Sequence, residues 1–295
     1  ETVANADCWL AIGCTFSQIA MQDWTTKAPE TIIHIDIDPA EIGKIYKPTL
    51  GILADAKAAL SEMLRQLDIK VGDAARHTSH PRYAAIADRK ADFMRKLEEK
   101  THRHTSPVDP FHVVGVLNDI LPDDAIIVGG AGNNGEFAVH AYVSNKPTFM
   151  LSQKYSAVGC AFPMALGAKL AAPDVPVICI EGDGGVHYNI TELGTAVQHN
   201  IPVVLIIYND GHLNANRQIS NVLFEGKQTW TEINNPDWVQ LAKSFGAEAE
   251  RVERGEDLEE AVKRAIASGK PYVLDVAIDP NVRGPVTGKL WKIRW

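Results

Sequence analysis

The apolar run from Val175 to Ile180 ends on the glycines of Gly182-Asp183-Gly184-Gly185. Unbroken apolar character that breaks on glycines predicts a strand buried on both faces. ITELGTAVQHN then reads as a helix, and IPVVLIIYND as a second buried strand with polar residues at its end. Further strands are predicted at ADCWLAIG, Ala125 to Gly129 and Pro271 to Val276, and helices over Asp109 to Ile120 and Gly159 to Ala171. ETIIHIDIDPAEIG reads as a strand that turns at Asp38-Pro39 into a helix. Helices alternating with buried strands give an α/β class, with parallel sheets in three-layer domains.

Two parallel strands joined by a helix bring both strand ends to one side of the sheet, where open α/β folds place ligands. The Asn209-Asp210 pair follows the glycine turn by 24 residues, so Asp183 and this pair fall at neighbouring strand ends. They are placed to hold one hard cation, with a diphosphate on the glycine turn. The glycines lack the lysine and the length of a Walker loop, which disfavours a metal-dependent nucleotide-binding protein.

Composition narrows the class. The chain has 295 residues, 45% hydrophobic and 22% charged, with a formal net charge of -8. That length accommodates two domains, and no basic tract suggests a nucleic-acid surface. No apolar run is long enough to span a bilayer. Cys8, Cys14, Cys160 and Cys179 lack CxxC spacing, which points to buried thiols in a reduced, cytoplasmic setting.

Residues 1–73 read as the later part of an α/β domain, 74–106 as a polar linking segment, and 107–295 as a second α/β domain. The histidines of the linking segment, His80 among them, lie in a charged setting unsuited to a metal site. Glu1 is not an initiator methionine, and ETVANADCWLAIG enters a domain already under way. The expectation is that an earlier part is missing or supplied by another chain.

Two further stretches bear on a ligand. In AIIVGGAGNNGEFA a strand runs into Gly132-Asn133-Asn134, a turn that exposes amides to an anion or else serves as a tight, asparagine-capped turn. In SQKYSAVGCAFPMALGAKLA small residues suit close helix packing.

Together these segments resemble the thiamine-diphosphate-dependent enzymes, and most closely the acetolactate synthase and 2-oxo-acid decarboxylase type, from its central domain to its pyrophosphate-binding domain. The resemblance implies thiamine diphosphate and Mg2+ as cofactors, with Asp183, Asp210 and the His212 carbonyl as metal ligands. Many relatives have asparagine where this chain has Asp210, but a carboxylate is still a hard oxygen donor. It also implies that Gly132, Asn133, Asn134, Gly184 and Gly185 contact the diphosphate, with Asn189 either reaching phosphate or merely packing. Val158 takes the place of the bulky apolar residue under the cofactor's aminopyrimidine ring, and Ser156 would offer its carbonyl to that ring. Asn214, Asn216, Arg217 and Gln218 fall where relatives line the substrate end of the cleft. The glutamate that activates the cofactor belongs to an N-terminal pyrimidine domain in this family, and Glu192 does not inherit its role. The catalytic residue is therefore expected on a missing domain or a partner, and the chain alone is expected to be inactive.

IIHIDIDPAEIG resembles the central-domain motif near FAD in acetolactate synthases, but Gly13 to Gln18 lacks that pattern's arginine, which argues against FAD. The implied activity is carbon–carbon bond cleavage or formation on a 2-oxo acid, by a decarboxylase or carboligase. The alternatives are a 2-hydroxyacyl-CoA lyase, or a subunit that binds cofactor without catalysis. A dimer or tetramer of complete chains, or a heteromer with a separate pyrimidine-domain chain, follows from the same resemblance.

Overall fold

In a computed structural model the described residues are 2–18, 20–21, 24–71, 81–143, 146, 148–152, 155–227 and 230–285. The chain divides into two compact units, residues 1–93 and 94–295. Of the sequence-derived linking segment, 74–80 and its His80 lie outside the described residues.

The first unit holds a three-stranded parallel sheet ordered β1 (Cys8–Ile12), β2 (Thr31–Asp36), β3 (Leu50–Leu53). Helix α1 (Ala56–Val71) follows, and α2 (Pro81–Thr101) begins in this unit and ends in the next. The helix expected after Asp38-Pro39 is not formed; residues 39–43 make turns. Asp36 and Asp38 explain the difference, because each carboxylate accepts the backbone N–H two residues on and so stabilises turns in place of a helix.

The second unit runs α3 (Pro110–Ile120), β4 (Ile126–Gly129), α4 (Asn133–Ala141), β5 (Phe149–Leu151), α5 (Ala161–Ala171) and β6 (Val177–Gly182). It continues through α6 (Asp183–Asn189), α7 (Glu192–Gln198), β7 (Val204–Asn209), α8 (Asn214–Leu223), α9 (Trp238–Phe245), β8 (Glu248–Val252), α10 (Gly255–Ala267) and β9 (Tyr272–Ala277). The six strands form one sheet in the order β5-β4-β6-β7-β9-β8, and every pairing is parallel. Asp109 caps α3 by accepting the Phe111 N–H at 2.9 Å, ahead of Pro110 in the first turn.

Strand alternation divides the core between the two faces. Ile178, Ile180, Val204 and Ile206 point to one face and pack with residues of α3, α4 and α10. Val177, Cys179, Leu205 and Ile207 point to the other and pack with residues of α5, α7 and α9. Both faces being covered is why these strands read as continuous apolar runs. Each such fully buried side chain contributes about 1.5–3 kcal/mol. Among the described residues no helix is long and apolar enough to cross a membrane.

Candidate functional site

The strand order places a crevice at the C-terminal edge of the sheet. After β4 the chain turns outward to β5 through α4, on one face; after β6 it turns the other way to β7 through α6 and α7, on the opposite face. The two connections diverge between β4 and β6, the kind of switch point at which open α/β sheets bind ligands. A cleft of about 280 Å³ lies there, lined by the two glycine-rich turns, Ser156, Val158, Asp210 and the segment from His212 to Asn216.

The first turn is built closely against the second strand. The Gly130 N–H donates to the Ile180 carbonyl at 2.8 Å, and Asn134 Nδ2 donates to the same oxygen at 3.1 Å. A Cβ on Gly130 would come within 2.7 Å of Asn134 Nδ2 and 3.0 Å of Glu181 Cγ, so the approach requires glycine. Gly132, at φ 104°, adopts a backbone that side chains disfavour and starts α4 at Asn133. The first residues of α4 and α6 both border the cleft, the helix ends at which amides favour an anion.

The second turn opens α6 directly, so Asp183 is its first residue. In-register pairing of Gly182 with Tyr208 brings the end of β6 beside the end of β7. Asp183 Oδ2 accepts the Gly211 N–H at 2.7 Å and Asn235 Nδ2 at 2.7 Å; Oδ1 accepts the Gly184 N–H at 2.8 Å. Asp210 Oδ1 accepts the His212 N–H at 3.0 Å, while His212 Nδ1–H donates to the Asp210 carbonyl. Burial and then the neighbouring Asp183 charge push the Asp210 carboxyl up to about 7. Burial raises Asp183 too, against the hydrogen bonds it accepts. A carboxyl whose ionisation is opposed by a second, buried carboxylate at the wall of a cleft suits a hard cation. Among the described residues no three His, Cys, Asp or Glu side chains cluster around a metal position, so main-chain oxygens would have to complete such a set.

A third wall comes from the turn before α5. Ser156 and Gly159 take positive φ values of 45° and 84°, and between them Val158 is half exposed at the cleft. Asn189 has a different place from the phosphate contact weighed above. It is buried behind the turn, and its Nδ2 donates to the Gly159 carbonyl at 3.0 Å and to Glu181 Oε2 at 2.6 Å. Its side chain therefore joins the Ser156–Gly159 turn to the glycine turn instead of lining the cleft.

The substrate-region candidates separate. Asn214 and Asn216 line the cleft. Arg217 Nη1 and Asn214 Nδ2 both donate to the Pro280 carbonyl, and Gln218 Nε2 donates to the Val282 carbonyl. Gln218 Oε1 also accepts the Gly284 N–H, so α8 clasps the chain leaving β9. Arg217 and Gln218 thus hold a wall of the site.

Two residues escaped the sequence reading. Glu181 is 1% exposed, and burial raises its carboxyl. A charge inside a buried apolar strand was the available signal. Asn235 reaches Asp183 from a loop 52 residues away in sequence, and INNPDW carries no local mark of that contact.

Comparison with known proteins agrees with this geometry. Residues 130–276 match the family described as "Thiamine pyrophosphate enzyme, C-terminal TPP binding domain", and residues 1–63 match "Thiamine pyrophosphate enzyme, central domain". The chain is 34% identical to a probable acetolactate synthase large subunit of Methanococcus aeolicus, over 95% of this chain and 48% of the relative. It is 35% identical to the corresponding protein of Methanocaldococcus jannaschii (94% and 47%), and 27% identical to the acetolactate synthase isozyme 3 large subunit of Escherichia coli (98% and 52%). The chain spans about half the length of these curated relatives. Domain matches on both units, joined to relatives that align along nearly the whole chain, mean that it belongs to the thiamine pyrophosphate enzyme superfamily, alongside acetolactate-synthase-like large subunits.

Proposed function

We propose that this chain supplies the diphosphate- and Mg2+-binding half of a thiamine-diphosphate-dependent enzyme that cleaves or forms a carbon–carbon bond on a 2-oxo acid. The observation that carries the reading is the meeting of Asp183 and Asp210 at adjacent strand ends, beside two glycine turns that line one cleft. The donor set fits the cofactor, because apposed carboxylates suit Mg2+ and helix-start amides suit a diphosphate. Asp183, Asp210 and the His212 carbonyl are the proposed metal ligands. Gly132, Asn133, Asn134, Gly184 and Gly185 would hold the diphosphate, and Ser156 and Val158 the aminopyrimidine end. When bound, the thiazolium of the cofactor supplies an electron sink for the bond beside the substrate carbonyl.

The chain's own residues orient and enclose. The half-exposed Val158 offers an apolar surface, and the turns fix the anion's place before any substrate arrives. Apolar exposure near the cleft supports a protein partner covering this end of the sheet. Tyr155, next to Ser156, is 92% exposed, and Trp230, next to Thr231, is 93% exposed. The Thr231 carbonyl accepts the N–H of Leu213, a residue of the cleft wall. A pyrimidine-binding domain bearing the activating glutamate is the partner proposed, in a dimer or higher assembly. The four free cysteines are in keeping with a cytoplasmic setting, although only Cys179 is buried as expected, Cys14 and Cys160 being partly exposed and Cys8 exposed.

Isothermal titration calorimetry of the chain with thiamine diphosphate tests the site. Binding is expected with Mg2+ and is expected to be lost with EDTA or in Asp183→Asn. Equal binding with and without Mg2+ would overturn the assignment of the two carboxylates. Consumption of pyruvate by the reconstituted assembly, in preference to a CoA thioester, tests the substrate class.

A further inference from the structure

Asp183 Oδ2 is held from two directions, by the Gly211 N–H and by Asn235 Nδ2, each at 2.7 Å. The same Asn235 nitrogen donates to Asn209 Oδ1 at 2.9 Å, so both of its hydrogens are used. Asn209 turns its own Nδ2 to Asp275 Oδ1 at 2.8 Å. Asp275 is 3% exposed and its other oxygen, Oδ2, accepts Arg251 Nη1 at 2.6 Å.

The chain of bonds has one sense. An amide side chain can usually flip, exchanging its oxygen for its nitrogen, and the local partners decide which way it lies. Both Asp275 oxygens accept, Oδ2 from Arg251 and Oδ1 from Asn209, so Asn209 must present its nitrogen there and its oxygen to Asn235. Asn235 must then present its nitrogen to both Asn209 and Asp183. Its oxygen is left for His187 Nε2 at 2.9 Å, which therefore donates. The polarity set at the edge pair β8–β9 is passed across β7 to the first residue of α6.

We propose that Asn235 is a positioning residue for the cation site, oriented through Asn209 by the Arg251–Asp275 pair, and that it fixes the rotation of the Asp183 carboxylate. The inference rests on the reading of Asp183 as a metal ligand and adds to it the group that aims it. Three segments converge on this one side chain: Gly184 from α6, Gly211 from the loop after β7, and Asn235 from the loop before α9. The two main-chain donors come with the backbone; Asn235 is the side-chain donor that a substitution can remove.

The test uses Asn235→Ala and the remote Asp275→Asn, which touches neither Asp183 nor the cleft lining. The Mg2+ midpoint is measured by calorimetry at saturating thiamine diphosphate, and the Gly184 and Gly211 amide resonances are recorded in the metal-free chain. Asn235→Ala is expected to weaken the Mg2+ midpoint about ten-fold, the lower end of the range for removing a group that orients a metal ligand, and Asp275→Asn, which acts through two further side chains, by a smaller factor of about three. Both variants are expected to shift the Gly211 amide without metal. A Mg2+ midpoint within about two-fold of the parent, together with an unmoved Gly211 amide, would overturn the proposal. Lowered thermal stability with an unchanged midpoint would also overturn it, by showing a structural role alone. If the parent chain binds neither Mg2+ nor thiamine diphosphate, the functional reading fails, while the metal-free Gly211 shift still decides whether Asn235 positions Asp183. Should Asn235→Ala not fold, Asp275→Asn carries the same two readouts.

Discussion

Replacing Gly159 by alanine should unsettle the wall of the cleft that carries Ser156 and Val158. Gly159 sits at φ 84°, and a Cβ built there would lie 2.6 Å from Tyr188 Cβ and 3.4 Å from the Gly185 carbonyl oxygen. The left-handed backbone costs an L side chain about 1–2 kcal/mol. Overpacking against Tyr188 adds about 1–3 kcal/mol, because its Cβ is tied to α6 and cannot swing away. Together these give a destabilisation of about 2–5 kcal/mol. Gly167 is the internal control. It lies exposed inside α5 with nothing within 4 Å of a built Cβ, so Gly167→Ala should stabilise by about 0.5–1 kcal/mol through helix propensity. Urea unfolding followed by far-UV circular dichroism in EDTA reads both changes. A Gly159→Ala chain as stable as the parent would refute the packing argument. If its thiamine diphosphate affinity also matched the parent, the turn would have no part in holding the cofactor.

Other expectations follow from single contacts. Asn189→Ala removes the 2.6 Å donor to the buried Glu181 carboxyl and should cost about 1.5–3 kcal/mol in urea unfolding, with part recovered by adding Glu181→Gln; no recovery would break the link between the pair. Burial raises the Asp109 carboxyl, so its contribution to stability is fullest below the ordinary 3.8 and is lost as pH rises through the folded value. Asp109→Asn keeps the cap on Phe111 and should unfold at higher urea than the parent at pH 7 but not at pH 3; a lower midpoint at pH 7 would contradict this. Trp230→Ala, at a 93% exposed position, should change stability by less than about 0.5 kcal/mol. The same change should weaken association with a pyrimidine-domain partner by at least about ten-fold, measured by sedimentation or calorimetry; unchanged association would remove Trp230 from the proposed interface.

Sequence alone determined the central strands and the ends at which chemistry is placed, while β3, β5 and β8 carried too short or too polar a pattern to be read. A strand buried on both faces must be apolar throughout, and Val175–Ile180 and Val203–Tyr208 therefore announced themselves and the glycine turns that end them. The 24-residue spacing from Gly185 to Asn209 sufficed to set Asp183 near Asp210, because a helix between parallel neighbours leaves little freedom. Local hydrogen bonding hid other features: Asp36 and Asp38 made turns where a helix was expected after Asp38-Pro39. The tertiary structure decided every relation that depends on chain segments far apart. Asn189 looks available to a phosphate in sequence, yet its nitrogen is committed to Gly159 and Glu181. Arg217 and Gln218 look like substrate ligands, yet they bond to carbonyls of the segment after β9. Asn235 has no sequence mark at all. Its partner lies 52 residues away, and which atoms of a long-range polar pair meet is set by the packing of the layers between them.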